Sequence, residues 1–460
     1  MTIWSPDITV QAGPRYLAIA DALAEDLGRG KLLPGQRLPT HRDLAAQLDL
    51  TVGTISRAYA EAERRGLVRG EVGRGTFVCD PDRHGDLPAG AAAPGGLVDL
   101  ALNLSLAADD PDLAGALRQL LKQPDLAALL SYPPQTDSLR YRQAGADWIG
   151  RHGLPVTPDQ IVITAGAQHA ITMALSTLCR PGQSVLTEAL TYPGLKTAAE
   201  LLGLTLLPVA MDAEGLLPDA LDRTASRSSA RVLYCMPTLH NPTTATMGSQ
   251  RREEIAAVVR RHGLQVIEDD VHGLLAAEAL PPLATLIPEA AVYIASTSKL
   301  LAGGLRVAFV AASPATVEKL RFAVSASLWA LPALNVEVAA QWIADGTATI
   351  VAARKREEAA ARQELAQQLL PAASVRSAAR SYFLWLELPQ PWRSERFVNA
   401  ARAQGVAVAP AEAFVVAPTE APAAVRVSLS ASRERGTLAG GLRTLAGMLE
   451  RGPVPEPAIV

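Results

Sequence analysis

From about Val98 onward, the chain alternates short apolar segments with amphipathic segments of helical length. This alternation, sustained over several hundred residues, predicts an α/β domain with a mainly parallel sheet. Ligands of open parallel sheets bind outside the carboxyl ends of the strands. The polar residues that directly follow these strands are therefore the candidate site residues.

A segment rich in Pro, Gly and Ala, residues 83–96, has no hydrophobic periodicity and separates the α/β domain from a smaller N-terminal part. The total length of 460 residues leaves room for two or three domains. We assign residues 11–80 to an N-terminal module, 81–97 to a linker and 98–450 to the large domain. The sequence contains no internal repeat.

Composition and patterning narrow the class of protein. The formal net charge of −3 gives no global basic character that would indicate nucleic acid or a membrane surface. The three cysteines are far apart in the sequence, which fits a reducing compartment and argues against a zinc cluster. The chain shows neither a signal-peptide pattern nor an apolar run of roughly 20 residues. We therefore expect a cytoplasmic protein that does not interact with membranes.

The N-terminal module has the pattern of a winged helix-turn-helix. Helical periodicity predicts a first helix over residues 14–30. Thr40 and Thr51 are suited to cap a second and a third helix, the third ending at about Arg65. Two short apolar segments then flank a glycine-containing turn, as in a two-stranded wing.

A winged helix places one helix in the major groove of DNA and its wing against the minor groove or the backbone. The outward face of the third helix carries Thr54, Ser56 and Arg57, while Arg42 begins the second helix and Arg74 lies in the wing. Acidic and basic residues are equally numerous in this module, and winged helices also dock proteins. Protein docking is therefore the alternative to DNA binding.

Three segments of the module resemble the GntR family of bacterial repressors: LPGQRLPTHRDLA at 33–45, TISRAY at 54–59 and GLVRGEVGRGTFV at 66–78. The resemblance implies that the module binds double-stranded DNA. It also implies which residues make the contacts: Arg42, Thr54, Arg57, Arg74 and Gly75.

The run STSKLLAGGLR at 296–306 follows a predicted strand and places Lys299 among small hydroxyl residues, in a chain that has only six lysines. A lysine in such a turn at a strand end is suited to Schiff-base formation with an aldehyde. Ser296 and Arg306 could hold a phosphate of that aldehyde. The alternative is a surface lysine in a glycine turn.

Three other predicted strand ends carry polar or aromatic residues. A small-residue turn after residues 161–164 opens a helix, and the amino end of a helix suits phosphate binding. Tyr192 either stacks on a flat heterocycle or packs in the core. Asn241 either donates its amide to a ligand or belongs to an ordinary Asn-Pro turn.

A fourth strand end gives the strongest indication. It is acidic, because Glu268, Asp269 and Asp270 come at the end of an apolar strand, where carboxylates are costly to bury without a positive partner. A carboxylate beneath a pyridine nitrogen keeps that nitrogen protonated. A Mg²⁺ site is the rival interpretation, but no phosphate-loop lysine motif lies nearby.

In chain order, these features resemble the fold-type I pyridoxal-phosphate aminotransferases over about residues 98–449. The resemblance implies a domain with large and small subdomains, a homodimer and pyridoxal 5'-phosphate as cofactor. It implies that Lys299 forms the aldimine, that Asp269 pairs with the ring nitrogen and that Arg426 binds a substrate carboxylate. The remaining cofactor contacts that it implies are Ala167, Gln168, Tyr192, Asn241, Ser296, Arg306 and, from the neighbouring subunit, Tyr132.

Three positions depart from that family. His272 stands where a tyrosine usually contacts the ring hydroxyl, and histidine titrates near neutrality, so we expect altered protonation at this contact. Thr244 replaces the glycine after Asn-Pro-Thr, and a glycine usual after the Tyr132 motif is missing from residues 135–138. Cofactor binding is compatible with these changes, whereas efficient transamination is less assured.

A GntR-like winged helix fused to an aminotransferase-like domain resembles the MocR/GabR-type bacterial regulators. This resemblance implies a transcriptional regulator that senses pyridoxal phosphate or a small amino compound at Lys299, with little or no turnover. An amino compound that shifts the conformation of the large domain would shift the DNA-binding state with it. The alternative is a working aminotransferase with an accessory winged helix.

Overall fold

A computed structural model describes residues 4–6, 15–29, 31–32, 36–64, 67–71, 75–78, 96–106, 109–122, 124, 126–130, 138–276, 280–371, 374–416 and 421–453. The chain divides into two compact units, Met1–Ala91 and Ala92–Val460. Among the described residues, none of the helices is both long enough and apolar enough to cross a membrane.

The first unit has three helices followed by a two-stranded antiparallel sheet, which confirms the winged helix-turn-helix pattern. Its elements are α1 (Arg15–Gly28), α2 (His41–Leu48), α3 (Val52–Arg64), β1 (Val68–Glu71) and β2 (Gly75–Val78). Thr40 caps α2 as expected, because its hydroxyl accepts a hydrogen bond from the backbone N–H of Asp43.

The core of this unit extends to a residue that precedes the assigned start at residue 11. Trp4 is buried with Ile19 and Leu23 of α1, and its indole N–H donates to the Asp26 carboxylate at 3.1 Å. A single tryptophan ahead of the first periodic segment carries no pattern, so sequence periodicity gives no signal for this contact.

The second unit contains the remaining strands and helices. Its strands are β3 (Val98–Asp99), β4 (Ile161–Thr164), β5 (Ser184–Glu188), β6 (Thr205–Val209), β7 (Met211–Asp212), β8 (Gly215–Leu216), β9 (Val232–Cys235), β10 (Gln265–Asp269), β11 (Ala291–Ser296), β12 (Ala308–Ala312), β13 (Val375–Arg376), β14 (Phe383–Glu387), β15 (Val406–Ala407), β16 (Ala409–Pro410) and β17 (Ala424–Ser428). Its α-helices are α4 (Leu113–Leu120), α5 (Leu139–Gly150), α6 (Ala167–Leu178), α7 (Pro193–Leu201), α8 (Pro218–Ser226), α9 (Ser249–His262), α10 (Pro314–Leu328), α11 (Ala333–Ala344), α12 (Thr347–Leu369), α13 (Ser394–Ala403) and α14 (Arg435–Arg451).

The central sheet has seven strands in the order β4-β12-β11-β10-β9-β5-β6. Every pair is parallel except the two that β12 makes, which are antiparallel. The predicted mainly parallel sheet is therefore confirmed. Because β4 and the central parallel strands run the same way, their carboxyl ends all meet at one edge of the sheet.

Helices cover both faces of this sheet, and successive strand residues pack on opposite faces. On β10, Ile267 packs in the cluster that contains α6 and α10, whereas Val266 packs in the cluster that contains α5 and α9. This alternation continues past the end of the strand and decides on which side each acid of residues 268–270 lies.

A smaller antiparallel sheet, β13-β14-β17-β16, packs with α12, α13 and α14 around a separate apolar core. The short strand β3 pairs in parallel with β15 beside it, over only two residues. This subdomain carries Arg426 at the middle of β17.

Candidate functional site

Six of the predicted site residues of the large domain come together at the carboxyl edge of the central sheet. They stand at the ends of five strands or in the segments that follow them. In chain order they are Ala167 and Gln168 after β4, Tyr192 after β5, Asn241 after β9, Asp269 at the end of β10, and Lys299 after β11.

Asp269 lies on the same side of the sheet as Tyr234 of β9, whose phenol donates to its carboxylate at 2.6 Å. Its other hydrogen bond comes from the backbone N–H of Val271 at 3.4 Å. Burial raises the pKa of Asp269 to about 6, against the lowering effect of the Tyr234 hydrogen bond. A buried carboxylate with only neutral hydrogen-bond donors is well suited to a protonated ring nitrogen.

The two neighbouring acids have separate structural partners. Glu268 accepts from the backbone N–H groups of Leu283 and Ala284, at 3.0 and 2.7 Å, and burial raises its pKa to about 7. Asp270 accepts from the Tyr293 phenol and lies 3.1 Å from His152 Nδ1. The three acids therefore form no joint metal site, because strand alternation turns the middle one away from its neighbours.

Lys299 is half-buried in the turn after β11, and its amine donates to the backbone carbonyl of Asn103. Burial lowers the pKa of Lys299 to about 7, and the positive charges of Arg426 and Arg306 add to this effect. The negative charge of Asp269 opposes it. An amine with such a pKa is largely neutral at physiological pH, as nucleophilic attack on an aldehyde requires. Lys299 is not the freely exposed surface lysine of the alternative interpretation.

The carbonyl of Lys299 is also held. It accepts from the Tyr382 phenol at 2.9 Å and from the Ser105 hydroxyl at 3.1 Å. Lys355, which is fully buried, donates to the same Ser105 hydroxyl at 2.8 Å and to Asp110 at 2.6 Å. These bonds fix the backbone from which the reactive amine extends.

An anion cradle lies at the amino end of α6. Gly166 caps this helix with φ +82°, and a Cβ built on it would lie 2.6 Å from Nη2 of Arg306. The guanidinium of Arg306 therefore lies directly against a glycine backbone at the positive end of a helix, which suits a phosphate. Ser296 adds a hydroxyl that accepts from the N–H of Ser298 at 3.1 Å.

The ring site beside this cradle needs a second glycine, which the sequence analysis missed. A Cβ on Gly194 would lie 2.1 Å from Oε1 of Gln168 and 2.3 Å from Cε1 of Tyr192. Gln168 donates through Nε2 to the Gly194 carbonyl at 2.8 Å, so this side-chain N–H bonds the protein itself. Its Oε1 is buried without a partner among the residues that the structure describes. A glycine two positions after an aromatic site residue is the signal that could have identified it.

Arg426 is buried and has neutral hydrogen-bond partners. Nη1 donates to Oδ1 of Asn241 at 2.8 Å and Nη2 to the carbonyl of Ala101 at 2.6 Å. Nε has no partner within the described part of the chain, and the guanidinium lies 5.0 Å from the ring centre of Phe414. Burial lowers the pKa of Arg426 to about 10. A buried guanidinium whose hydrogen-bond partners are all neutral is suited to a carboxylate ligand.

His272 corrects one expectation. We expected it to titrate near neutrality, but burial, together with the charges of Lys299 and Arg426, holds its pKa well below the usual value. The ring is therefore neutral, packs edge-on against Phe383 and lies with Nε2 3.1 Å from the Asn103 amide. Sequence reasoning missed Asn103 because it belongs to no predicted strand end.

Thr244 adopts a backbone conformation that favours glycine. Its φ is +62°, in the left-handed region that side chains disfavour, and it is buried. Its N–H donates to the carbonyl of His240 at 2.7 Å, which closes the tight turn around Asn241. The substitution is thus accommodated without opening the turn.

The predicted DNA-contacting residues lie on α2, α3 and the wing. Arg42 and Arg57 are exposed, while Thr54 and Ser56 are half-buried. The Thr54 hydroxyl is 2.9 Å from that of Thr51, and the Ser56 hydroxyl is 3.1 Å from Nδ1 of His41. Two predicted site residues fall outside the described residues, namely Arg74 of the wing and Tyr132; Gly75 begins β2.

Comparison with known proteins gives two family matches. The model for aminotransferase class I and II matches residues 97–445, and the model for the gntR family of bacterial regulatory proteins matches residues 15–78. These matches confirm both resemblances noted in the sequence.

Similar full-length proteins share this arrangement of two domains over most of the chain. The chain is 33% identical over 447 residues to the uncharacterized HTH-type transcriptional regulator YdeF of Bacillus subtilis (strain 168), covering 97% of each. It is 27% identical over 432 residues to the uncharacterized HTH-type transcriptional regulator YdcR of Escherichia coli (strain K12), covering 87% of this chain and 92% of the other.

Solved structures match the large domain. LysN, the alpha-aminoadipate aminotransferase from Thermus thermophilus, was solved in complex with N-(5'-phosphopyridoxyl)-L-leucine. It is 29% identical to this chain with a TM-score of 0.69, covering 77% of this chain and 92% of that one.

Proposed function

Because this chain belongs to the class I and II aminotransferase family and carries a gntR-family domain in the MocR-type arrangement, we propose that it is a DNA-binding transcriptional regulator controlled by a small amino compound. The observation that carries the proposal is the similarity to YdeF over 97% of both chains. Such coverage includes the winged helix, the large domain and the segment that joins them.

We further propose that the large domain binds pyridoxal 5'-phosphate, and the residues of the site fit it. Gly166, Ala167 and Arg306 would hold the phosphate, Tyr192 and Asn241 would contact the ring, and Asp269 would hold the proton on the ring nitrogen. Pyridoxal phosphate supplies an aldehyde that captures amines and a ring that withdraws electrons from them. Lys299 supplies the neutral amine, and Arg426 the guanidinium for a carboxylate.

The pKa of Lys299 predicts how cofactor capture depends on pH. Only the neutral amine attacks an aldehyde, so the capture rate should fall about tenfold for each pH unit below 7 and level off above it. The rise of the cofactor absorbance after mixing, followed between about pH 5 and 11, measures this. Free Nα-acetyl-lysine is the control, with a midpoint near its ordinary value of about 10.4. A midpoint above 9 in the protein would contradict a depressed pKa.

DNA binding is predicted to depend on Arg57, which is exposed on α3. Arg57→Ala should weaken binding to the protein's own promoter fragment by about 1–3 kcal/mol, because a base or phosphate contact of this kind carries that much. Gel retardation or anisotropy measures the affinity. Arg29→Ala is the matched control, since Arg29 is an exposed arginine beyond α1 that pairs with Glu25.

Two results would contradict this assignment. Equal affinities of Arg57→Ala and the unchanged protein would remove Arg57 from the interface. Altered cofactor absorbance in Arg57→Ala would show that DNA binding and cofactor binding are not separate functions of the two domains, as proposed.

We propose that the chain acts as a homodimer. Four large apolar side chains are exposed near α10 and the start of α11: Phe322 (77% exposed), Leu328 (43%), Trp329 (71%) and Leu334 (43%). Exposed apolar groups of this size, close together in sequence, are typical of a protein–protein interface. A second copy of the chain is the occupant that the aminotransferase resemblance implies.

The double variant Phe322→Arg, Trp329→Arg should weaken dimerisation by about 100-fold or more, because it places charges where large apolar groups would be buried. Light scattering across a concentration series measures the mass. Leu201→Arg, at an exposed leucine at the end of α7, is the control that should remain dimeric. A dimer that persists in the double variant would place the interface elsewhere.

An active aminotransferase with an accessory winged helix is the second candidate. The simultaneous presence of Lys299, Asp269 and Arg426 and the similarity to LysN favour it. Rapid multiple turnover with amino acids, without retardation of promoter DNA, would support this candidate and overturn the regulator.

A further inference from the structure

Lys355 of α12 is a second buried lysine close to the turn after β11. It is fully buried, and its amine donates to Oδ1 of Asp110 at 2.6 Å, to the Ser105 hydroxyl at 2.8 Å and to the Leu301 carbonyl at 2.5 Å. An ammonium group has three N–H donors, so these three oxygens use all of its hydrogens. Burial lowers the pKa of Lys355, whereas the hydrogen bond and charge of Asp110 and the charge of Asp109 oppose this change. The contacts are therefore those of a charged ammonium group.

Two of the three acceptors connect this ammonium group to the turn that carries Lys299. The Ser105 hydroxyl accepts from Lys355 and donates its own hydrogen to the Lys299 carbonyl at 3.1 Å. The Leu301 carbonyl belongs to the same turn, two residues further along the chain. Lys355 thus binds the turn twice, once directly and once through Ser105. The Tyr382 phenol makes the other hydrogen bond to the Lys299 carbonyl.

The helix that carries Lys355 belongs to both apolar cores of the large domain. Val351 and Ala359 of α12 pack in the core that contains α5 and α9, and Ala366 packs in the core of the smaller sheet. Lys355 lies one helical turn from Val351 and one from Ala359, so it shares their face of the helix. Its hydrogen bonds therefore tie the turn after β11 to an element that packing holds at several positions.

We propose that Lys355 is a positioning residue: its ammonium group, acting through Ser105 and the Leu301 carbonyl, fixes residues 299–301 so that the amine of Lys299 stays inside the site on the Asn103 carbonyl. The inference rests on the proposed function in taking Lys299 as the amine that captures the cofactor. Lys355 acts only through other residues, because all its N–H groups bond to the protein.

The position of the amine decides its protonation. Burial is the main cause of the low pKa of Lys299, the charges of Arg426 and Arg306 add to it, and the charge of Asp269 opposes it. The nearby ring of His272 is neutral. If the turn is released, the amine gains contact with water, and its pKa returns toward the ordinary value of about 10.4. Release of the turn should therefore make Lys299 less reactive near neutral pH.

The first test is Lys355→Met, which removes all three donors and keeps an unbranched side chain. Acetylation of Lys299 by acetic anhydride is followed between about pH 5 and 11 on the cofactor-free, full-length protein, by mass spectrometry of the peptide that contains this lysine. The midpoint of the pH profile should rise by about one unit or more, so that reactivity near neutral pH falls about tenfold. Lys319→Met, at an exposed lysine of α10, is the matched control and should keep the midpoint.

The second test breaks only the indirect attachment. Ser105→Ala removes the hydroxyl between Lys355 and the Lys299 carbonyl, but it leaves the ammonium group on Asp110 and Leu301. Reactivity of Lys299 near neutral pH should fall about threefold, because one of two attachments is lost. Ser105→Thr keeps a hydroxyl and should retain the profile of the unchanged protein.

Unchanged midpoints in Lys355→Met and Ser105→Ala, with both proteins shown by denaturant unfolding to be folded, overturn the proposal and leave Lys355 with a purely structural role. A midpoint near the ordinary lysine value in the unchanged protein overturns it too, because the amine would then already lie in water. If Lys355→Met does not fold, the two Ser105 variants decide the question. If the unchanged protein captures no pyridoxal phosphate, the proposed cofactor fails, while the acetylation profiles still decide whether Lys355 positions Lys299.

Discussion

Lys299→Ala is expected to yield a folded protein without the absorbance band of lysine-bound pyridoxal phosphate. The change removes the neutral amine that the structure places beside Asp269 and Arg306. The other described lysines near the site cannot substitute for it. Lys355 is fully buried and paired with Asp110, and Lys196 donates to the carbonyl of Ala413. Complete loss of the band is therefore the expected size of the effect.

Spectra recorded after incubation with pyridoxal phosphate and gel filtration measure the retained cofactor. Lys319→Ala is the matched control, because Lys319 is exposed on α10 and should retain the band. A band that survives in Lys299→Ala would show capture by another amine. It would reject Lys299 as the covalent anchor without rejecting the fold.

Gly166→Ala is expected to lower the affinity for pyridoxal phosphate by about 100-fold or more, because the Arg306 guanidinium and the N–H groups at the amino end of α6 would no longer be placed together to hold a phosphate. The added methyl group would lie 2.6 Å from Nη2 and 2.9 Å from Cζ of Arg306. The guanidinium must then move away from the amino end of α6. The backbone at φ +82° also becomes strained by about 1 kcal/mol.

Gly182→Ala separates the displacement of Arg306 from the backbone strain. Gly182 has φ +84°, and a Cβ there meets nothing within 4 Å. It should therefore lose about 1 kcal/mol of unfolding free energy from the same backbone strain and keep its cofactor affinity. Cofactor titration followed by fluorescence, with denaturant unfolding of both variants, distinguishes them. Equal cofactor affinities in the two variants would show that Arg306 does not need its place against Gly166.

Much of the site was predictable because most candidates stand at the end of a strand or in the segment that follows it. Alternation of apolar and amphipathic segments predicted the parallel sheet, and parallel strands bring their carboxyl ends to one edge. Asp269, Asn241 and Lys299 could therefore be expected to lie together from their positions alone. Strand alternation even separates Asp269 from its acidic neighbours.

Other parts were not predictable, because they depend on which distant segments meet. Asn103 contacts His272 and Lys299 across more than 160 residues of sequence. In the sequence, Tyr234 is an ordinary core residue of β9, and only the structure shows that its phenol donates to Asp269. Trp4 likewise joins the first core only through tertiary contacts, because it packs with Ile19 and Leu23 and donates to Asp26.

The sequence by itself determined the order of elements, the two domain types and the chemistry available at each strand end, since these follow from periodicity, caps and local motifs. Only the tertiary structure decided the protonation states of the side chains at these strand ends. Burial makes His272 neutral and brings the pKa of Lys299 to about 7, and burial is a property of the packed chain. Only the tertiary structure, too, placed the carbonyls of Ala101 and Asn103 on Arg426 and Lys299, because a hydrogen bond between segments so far apart leaves no periodic trace in the sequence.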